Sequence, residues 1–119
     1  MLKAYTYAKC STCRKAVTFL RSRNVQFQEI PIRETPPSLV ELKTMLAACA
    51  GNRHKLFNTS GLDYKALGLS TKLPTMSETE ALQLLASNGN LVKRPFLISE
   101  KVQLVGFDED QWARKFPST

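Results

Sequence analysis

Two cysteines separated by Ser11 and Thr12, set where a strand gives way to a helix, constrain this chain more than any other feature. Leu2 to Tyr7 is rich in aromatic residues and threonine and reads as a strand. Ser11 to Arg23 has helical spacing, with Cys13, Ala16, Val17 and Leu20 near one face; Cys10 or Ser11 would cap it and Asn24 would close it. Val25 to Ile32 reads as a second strand, which Pro31 ends early or confines to a sheet edge. A strand, a helix and a second strand in this order predict a parallel pair joined by a right-handed crossover.

The rest of the chain is helical before it returns to strand. Pro36-Pro37-Ser38 breaks the chain and starts a helix through Cys49, with Leu42, Met45 and Leu46 on one face and Gly51 stopping it. Asn58-Thr59-Ser60-Gly61 is a loop and Tyr64 to Leu67 a short helix. Ser77 to Ser87 is a further helix with a Ser-x-x-Glu start at Ser77 and Glu80. Asn88-Gly89-Asn90 is a turn. Phe96 to Ile98 and Val102 to Val105 suit a hairpin, and Asp108 to Lys115 a last helix on which Trp112 and Phe116 pack against the sheet. The expected class is α/β: a thioredoxin-like (glutaredoxin-like) mixed sheet, residues 1–119 forming one domain. A helical insertion over about residues 36–92 separates its β-α-β and β-β-α halves.

The 119 residues suit one compact domain, and the 43% hydrophobic content supplies a core without a staple. A net charge of +7 attracts anionic partners, but the lysines and arginines are scattered, as on a solvated surface rather than a nucleic-acid footprint. No stretch approaches the ~20 apolar residues of a membrane span. The N-terminus reads directly as a strand rather than a signal peptide, so the expected location is the cytoplasm, where structural disulfides are uncommon.

Three cysteines in a reducing compartment leave metal binding, redox chemistry or burial. A structural zinc site needs two further ligands; only Cys49 and His54 remain, on a helix end and a loop, and no metal site is expected. Buried, inert thiols are the plain alternative. For redox chemistry, a Cys10 sulfur at the helix start lies near unpaired backbone N–H groups, which together with the positive helix end stabilise a thiolate. Cys13, one turn on, can then act as the resolving thiol. Lys9, Arg14 and Lys15 add cations, while Ser11 and Thr12 offer hydroxyl donors and leave room for a partner. Cys49 reads as a packed small hydrophobe, and His54 as an exposed loop residue.

Tyr7-Ala8-Lys9-Cys10-Ser11-Thr12-Cys13-Arg14-Lys15-Ala16 resembles the opening of the arsenate reductase (ArsC)/Spx family. Phe57-Asn58-Thr59-Ser60-Gly61, Tyr64-x-x-Leu67-x-Leu69, and Lys93-Arg94-Pro95 followed by Val105-Gly106-Phe107 match in the family's order across nearly the whole chain.

In ArsC-type arsenate reductases, the cysteine at the Cys10 position attacks arsenate, and glutathione with glutaredoxin completes the reduction. The resemblance implies that Cys10 is the nucleophile and that Arg94 binds an oxyanion through its fork of donors. It also implies a cis bond at Pro95, which closes the active site. Such reductases use two more arginines, whose places here hold Asn58 and Gly106; Asn58 can donate a hydrogen bond but no charge. Spx proteins carry a Cys-x-x-Cys switch and an Arg-Pro pair and bind the C-terminal domain of the RNA polymerase α subunit. Gly51 lies about where Spx has a glycine used in that contact, although it also reads as a helix-ending glycine. In a strand, Lys93 and Arg94 would point to opposite sides, and the resemblance selects Arg94 to face Cys10.

The expected activity is therefore thiol–disulfide oxidoreduction. Cys10, Cys13 and Arg94 would act, with Lys9, Ser11, Thr12, Asn58 and Pro95 around the substrate. Glutathione, a thioredoxin or a glutaredoxin would be the reductant, and no bound cofactor is expected. The substrate would be a small thiol or oxyanion. Glutathione-dependent arsenate reduction and a redox-switched contact with RNA polymerase are the alternatives.

Overall fold

The computed structural model describes residues 1–118. Its centre is a four-stranded mixed sheet in the order β2-β1-β3-β4, built from β1 (Lys3–Thr6), β2 (Gln28–Pro31), β3 (Phe96–Ile98) and β4 (Gln103–Val105). β1 runs parallel to β2, with Tyr5 opposite Ile30, and antiparallel to β3, with Tyr5 opposite Phe96. β3 and β4 form the expected hairpin. Pro31 ends an edge strand, where its missing N–H leaves no ladder bond unmade.

The period-2 alternation of the strands divides the interior in two. Tyr5, Phe96 and Ile98 face the helical segment, packing with Leu42, Met45, Leu46, Leu82 and Leu85. Ala4, Leu97 and Leu104 face the other way, against Ala16, Phe19 and Leu20 of α1 (Ser11–Ser22) and Trp112 of α6 (Glu109–Lys115). Phe19 and Trp112 meet edge to face, and Arg23 ties the end of α1 to the C-terminal segment by donating to the Phe116 carbonyl oxygen at 2.7 Å. Phe116 packs partly buried on this second core.

Between β2 and β3 lie α2 (Leu39–Ala48), α3 (Leu62–Ala66), α4 (Leu69–Lys72) and α5 (Glu78–Ser87). Capping boxes start both longer helices, pairing Ser38 with Glu41 and Ser77 with Glu80. Gly51, at φ +78, returns its N–H to the Leu46 carbonyl oxygen and closes α2. Gly89 is pressed against the Ile32 backbone so closely that a Cβ would overlap its carbonyl oxygen. Pairing in β2 begins at Gln28 rather than Val25, because Val25 and Phe27 pack on the second core outside the ladder.

Candidate functional site

The first strand and first helix meet at Cys10, the N-cap of α1. Cys10 is extended, its N–H bonds the Tyr7 carbonyl oxygen at 3.0 Å, and its own carbonyl accepts from Arg14 at 3.1 Å. Its sulfur takes the place that a serine or aspartate oxygen takes at other helix starts. The Cys13 N–H donates to Cys10 Sγ across 3.3 Å. The side chains of the two cysteines differ in setting. Cys10 is half-buried at the rim, whereas Cys13 is 1% exposed and both thiols are unbridged. Burial, reinforced by the neighbouring Cys10 sulfur, pushes the Cys13 thiol up to about 12, against the lowering influence of a hydrogen bond with the Tyr7 backbone and, more weakly, of Arg94.

A cleft of ≈ 370 Å³ opens over Cys10, lined by Lys9, Ser11, Thr12, Asn58, Lys93 and Arg94 and closed on one side by Tyr7. Lys9, Ser11 and Thr12 arrive with the cap of α1. Asn58 comes from the loop after the 3-10 turn Arg53–Leu56, where its N–H bonds the Leu91 carbonyl oxygen at 2.7 Å. Gly61 leaves room for the Asn58 amide, which a Cβ there would meet at 2.7 Å. Arg94 stands two residues before Phe96 of β3, on a cis bond to the buried Pro95. One of its terminal nitrogens, Nη1, is buried without a hydrogen-bond partner.

Of the residues singled out from sequence, Lys9, Cys10, Ser11, Thr12, Asn58 and Arg94 share this cleft. Cys13 lies beneath its rim and Pro95 is buried away from its lining. Lys93 joins Arg94 on the wall instead of turning away: the two precede the strand, and the alternation of a regular ladder does not hold there. Gly106, at φ +73, lies off the cleft, with Lys93 Cε 3.4 Å from where its Cβ would stand. Tyr7 and Ser60 are the residues that sequence patterning misses. Tyr7 reads simply as the end of a strand, yet its ring carries the Arg94 guanidinium at 4.9 Å. Cys49 is half-buried against the helical core and its thiol is raised by burial; His54 is exposed in its 3-10 turn. Among the described residues, no three His, Cys, Asp or Glu side chains are placed to hold a metal.

The model of the ArsC family matches residues 5–115. The chain belongs to the ArsC family. Within it, the chain is 47% identical to the uncharacterized protein YusI of Bacillus subtilis, over 93% of this chain and 94% of that one. It is 32% identical to the global transcriptional regulator Spx of Enterococcus faecalis, over 98% and 87%. Among solved structures, an ArsC family related protein of Bacteroides fragilis superposes with a TM-score of 0.89 at 42% identity, covering 95% of each chain. The thioredoxin-like ArsC fold expected from the order of elements is the one the chain adopts. No helix among the described residues is long and apolar enough to cross a membrane.

Proposed function

We propose that the chain is a thiol–disulfide oxidoreductase in which Cys10 and Cys13 form the working couple, residues 1–119 acting as one domain. The observation that carries this is the asymmetry of two adjacent thiols. One is accessible and receives a backbone N–H; the other is buried, held protonated, and supplies that N–H. The Cys10 thiolate attacks one sulfur of a substrate disulfide; the S–S bond breaks and the departing thiolate takes a proton from solvent. Cys13 then loses its proton and attacks the Cys10 sulfur of the mixed disulfide, expelling the second substrate thiol. The substrate gains two electrons, and the Cys10–Cys13 disulfide so formed is reduced back to the two thiols by glutathione or a thioredoxin- or glutaredoxin-type protein. Arg94, with Lys9, Lys93 and the Asn58 amide, holds an anionic group of the substrate beside the sulfur. Ser11 and Thr12 border the entry, and Pro95 seats the start of β3 beneath Arg94.

The deciding experiment is dithiol turnover with glutathione or a thioredoxin in wild type and Cys10→Ser. Abolition is expected, and undiminished turnover would sink the proposal.

The likeness to a transcriptional regulator favours a second reading, in which the same couple switches a contact with the RNA polymerase α subunit. Oxidation-dependent capture of that subunit by the full chain distinguishes it. Arsenate reduction is less well supported, because among the described residues Arg94 is the only arginine on the thiol cleft and Asn58 brings no charge. Steady-state arsenate turnover with glutaredoxin, lost in Arg94→Ala, would restore it.

A further inference from the structure

Beside the thiol cleft, and sharing Tyr7, Asn58 and Arg94 with it, lies a smaller one of ≈ 230 Å³ to which Arg33, Asp63 and Asn90 contribute. Its volume is below the ~300 Å³ at which drug-sized sites begin, so it suits a group the size of an amino acid. Arg33 and Arg94 each place a guanidinium 4.9 Å from the centre of the Tyr7 ring, and Arg33 Nη1 also donates to Tyr7 Oη at 2.9 Å. One phenol thus orients two forks of donors toward one space. The buried Arg94 Nη1 has no partner.

Asp63 faces the same cleft from the start of α3. Asn88 and Asn90 hold it by donating from Nδ2 at 3.1 and 3.2 Å, both to Oδ2, and Oδ1 takes neither bond. Among the described residues, the only side-chain ion pair joins Lys3 to Glu41, so neither arginine is neutralised by Asp63. Two fixed cations and a fixed anion therefore line one space without satisfying each other. A plain oxyanion would be repelled by Asp63 and a plain amine by the arginines. A zwitterion matches both: a carboxylate on the guanidinium forks and an ammonium on Asp63.

We propose that this cleft binds the α-amino-carboxylate end of a thiol- or disulfide-bearing amino acid, presenting its sulfur across the shared wall toward Cys10. The inference rests on the thiol–disulfide reading above and names its substrate class. Free cysteine or cystine and a γ-glutamyl thiol peptide carry the same recognition group, and the test separates them.

The test is isothermal titration of the reduced full chain with two unreactive probes, S-methyl-L-cysteine and S-methylglutathione. 3-(Methylthio)propionate, which lacks the amino group, serves as the control. At least one zwitterionic probe is expected to bind, and the tighter one names the source. Asp63→Asn should weaken the zwitterions about tenfold or more while sparing the propionate, and Arg33→Gln should weaken all three. Arg33 is exposed, so that variant keeps the test open if Asp63→Asn disturbs the loop. Absence of zwitterion binding in the wild type overturns the proposal, as does equal affinity in folded Asp63→Asn. Probe binding is measured again in Cys10→Ser. Binding without wild-type turnover would discard the redox reading and keep the subsite; turnover without probe binding would do the reverse.

Discussion

The backbone N–H of Cys13 points at the sulfur of Cys10, 3.3 Å away, so that one residue of the pair supplies the electrostatic setting of the other. Replacing the Cys13 side chain leaves that N–H in place. Cys13→Ser is therefore expected to keep the attack on a disulfide and lose the resolution. A mixed disulfide on Cys10 should accumulate and be visible as an intact-mass increment, whereas Cys10→Ser should show no adduct.

Arg94 offers a donor that no protein group uses, so its removal strands no partner. Arg94→Ala should weaken an anionic substrate roughly tenfold to a hundredfold in KM, the range for a hydrogen bond to a charged group, with little change in Tm. A large fall in Tm with unchanged KM would assign Arg94 to the scaffold instead.

Glu41 is a junction between the sheet and α2. Burial alone would raise its carboxyl, but hydrogen bonds from Tyr5 Oη at 2.6 Å, the Ser38 N–H at 3.0 Å and Lys3 Nζ at 3.1 Å outweigh it, and the net shift is downward. A depressed folded value adds stability above the unfolded value of 4.5 that is lost as pH falls below it. Wild type should exceed Glu41→Gln by about 1 kcal/mol in urea unfolding at pH 7, a margin kept small by the partly exposed Lys3. The gap should close below pH ~4.5.

On the alkaline side, Tyr5 and Cys13 are both raised, first by burial, then by Glu41 and by Cys10 respectively. Groups raised on folding contribute stability that is complete below their unfolded values, 10.0 and 9.0, and is lost as pH climbs above them. Urea midpoints should fall between pH 9 and 11, and fall less steeply in Cys13→Ala once its lower baseline is subtracted.

Gly89→Ala would drive a methyl group into the Ile32 carbonyl, and a loss of about 1–3 kcal/mol in unfolding free energy is expected. Loss below ~0.5 kcal/mol would mean that the Gly89–Leu91 turn can move aside.

The elements legible in the sequence are those whose signals are local. Ser77 and Glu80 announce a helix start through a pattern four residues long, whereas Phe96, Leu97 and Ile98 announce a strand but, being all apolar, leave it to the fold to settle which face meets which core. The helix Leu69–Lys72 and the 3-10 turns Arg53–Leu56 and Leu73–Thr75 escape because runs of three or four residues have no period to detect. In the site, Cys10 declares itself by chemistry and position. Tyr7 does not, since its significance comes from Arg33 and Arg94, residues distant in the chain that only the fold brings onto its ring.

The two interiors on opposite faces of the sheet separate inheritance from invention. The helix that begins at Cys10 is anchored in the layer with Trp112, while the segment between β2 and β3 is anchored in the layer with Leu42 and Leu82. Drift within that segment can remodel what the molecule recognises while the seat of the thiols stays intact. One scaffold can thereby radiate into catalysts and regulators without reinventing its sulfur chemistry.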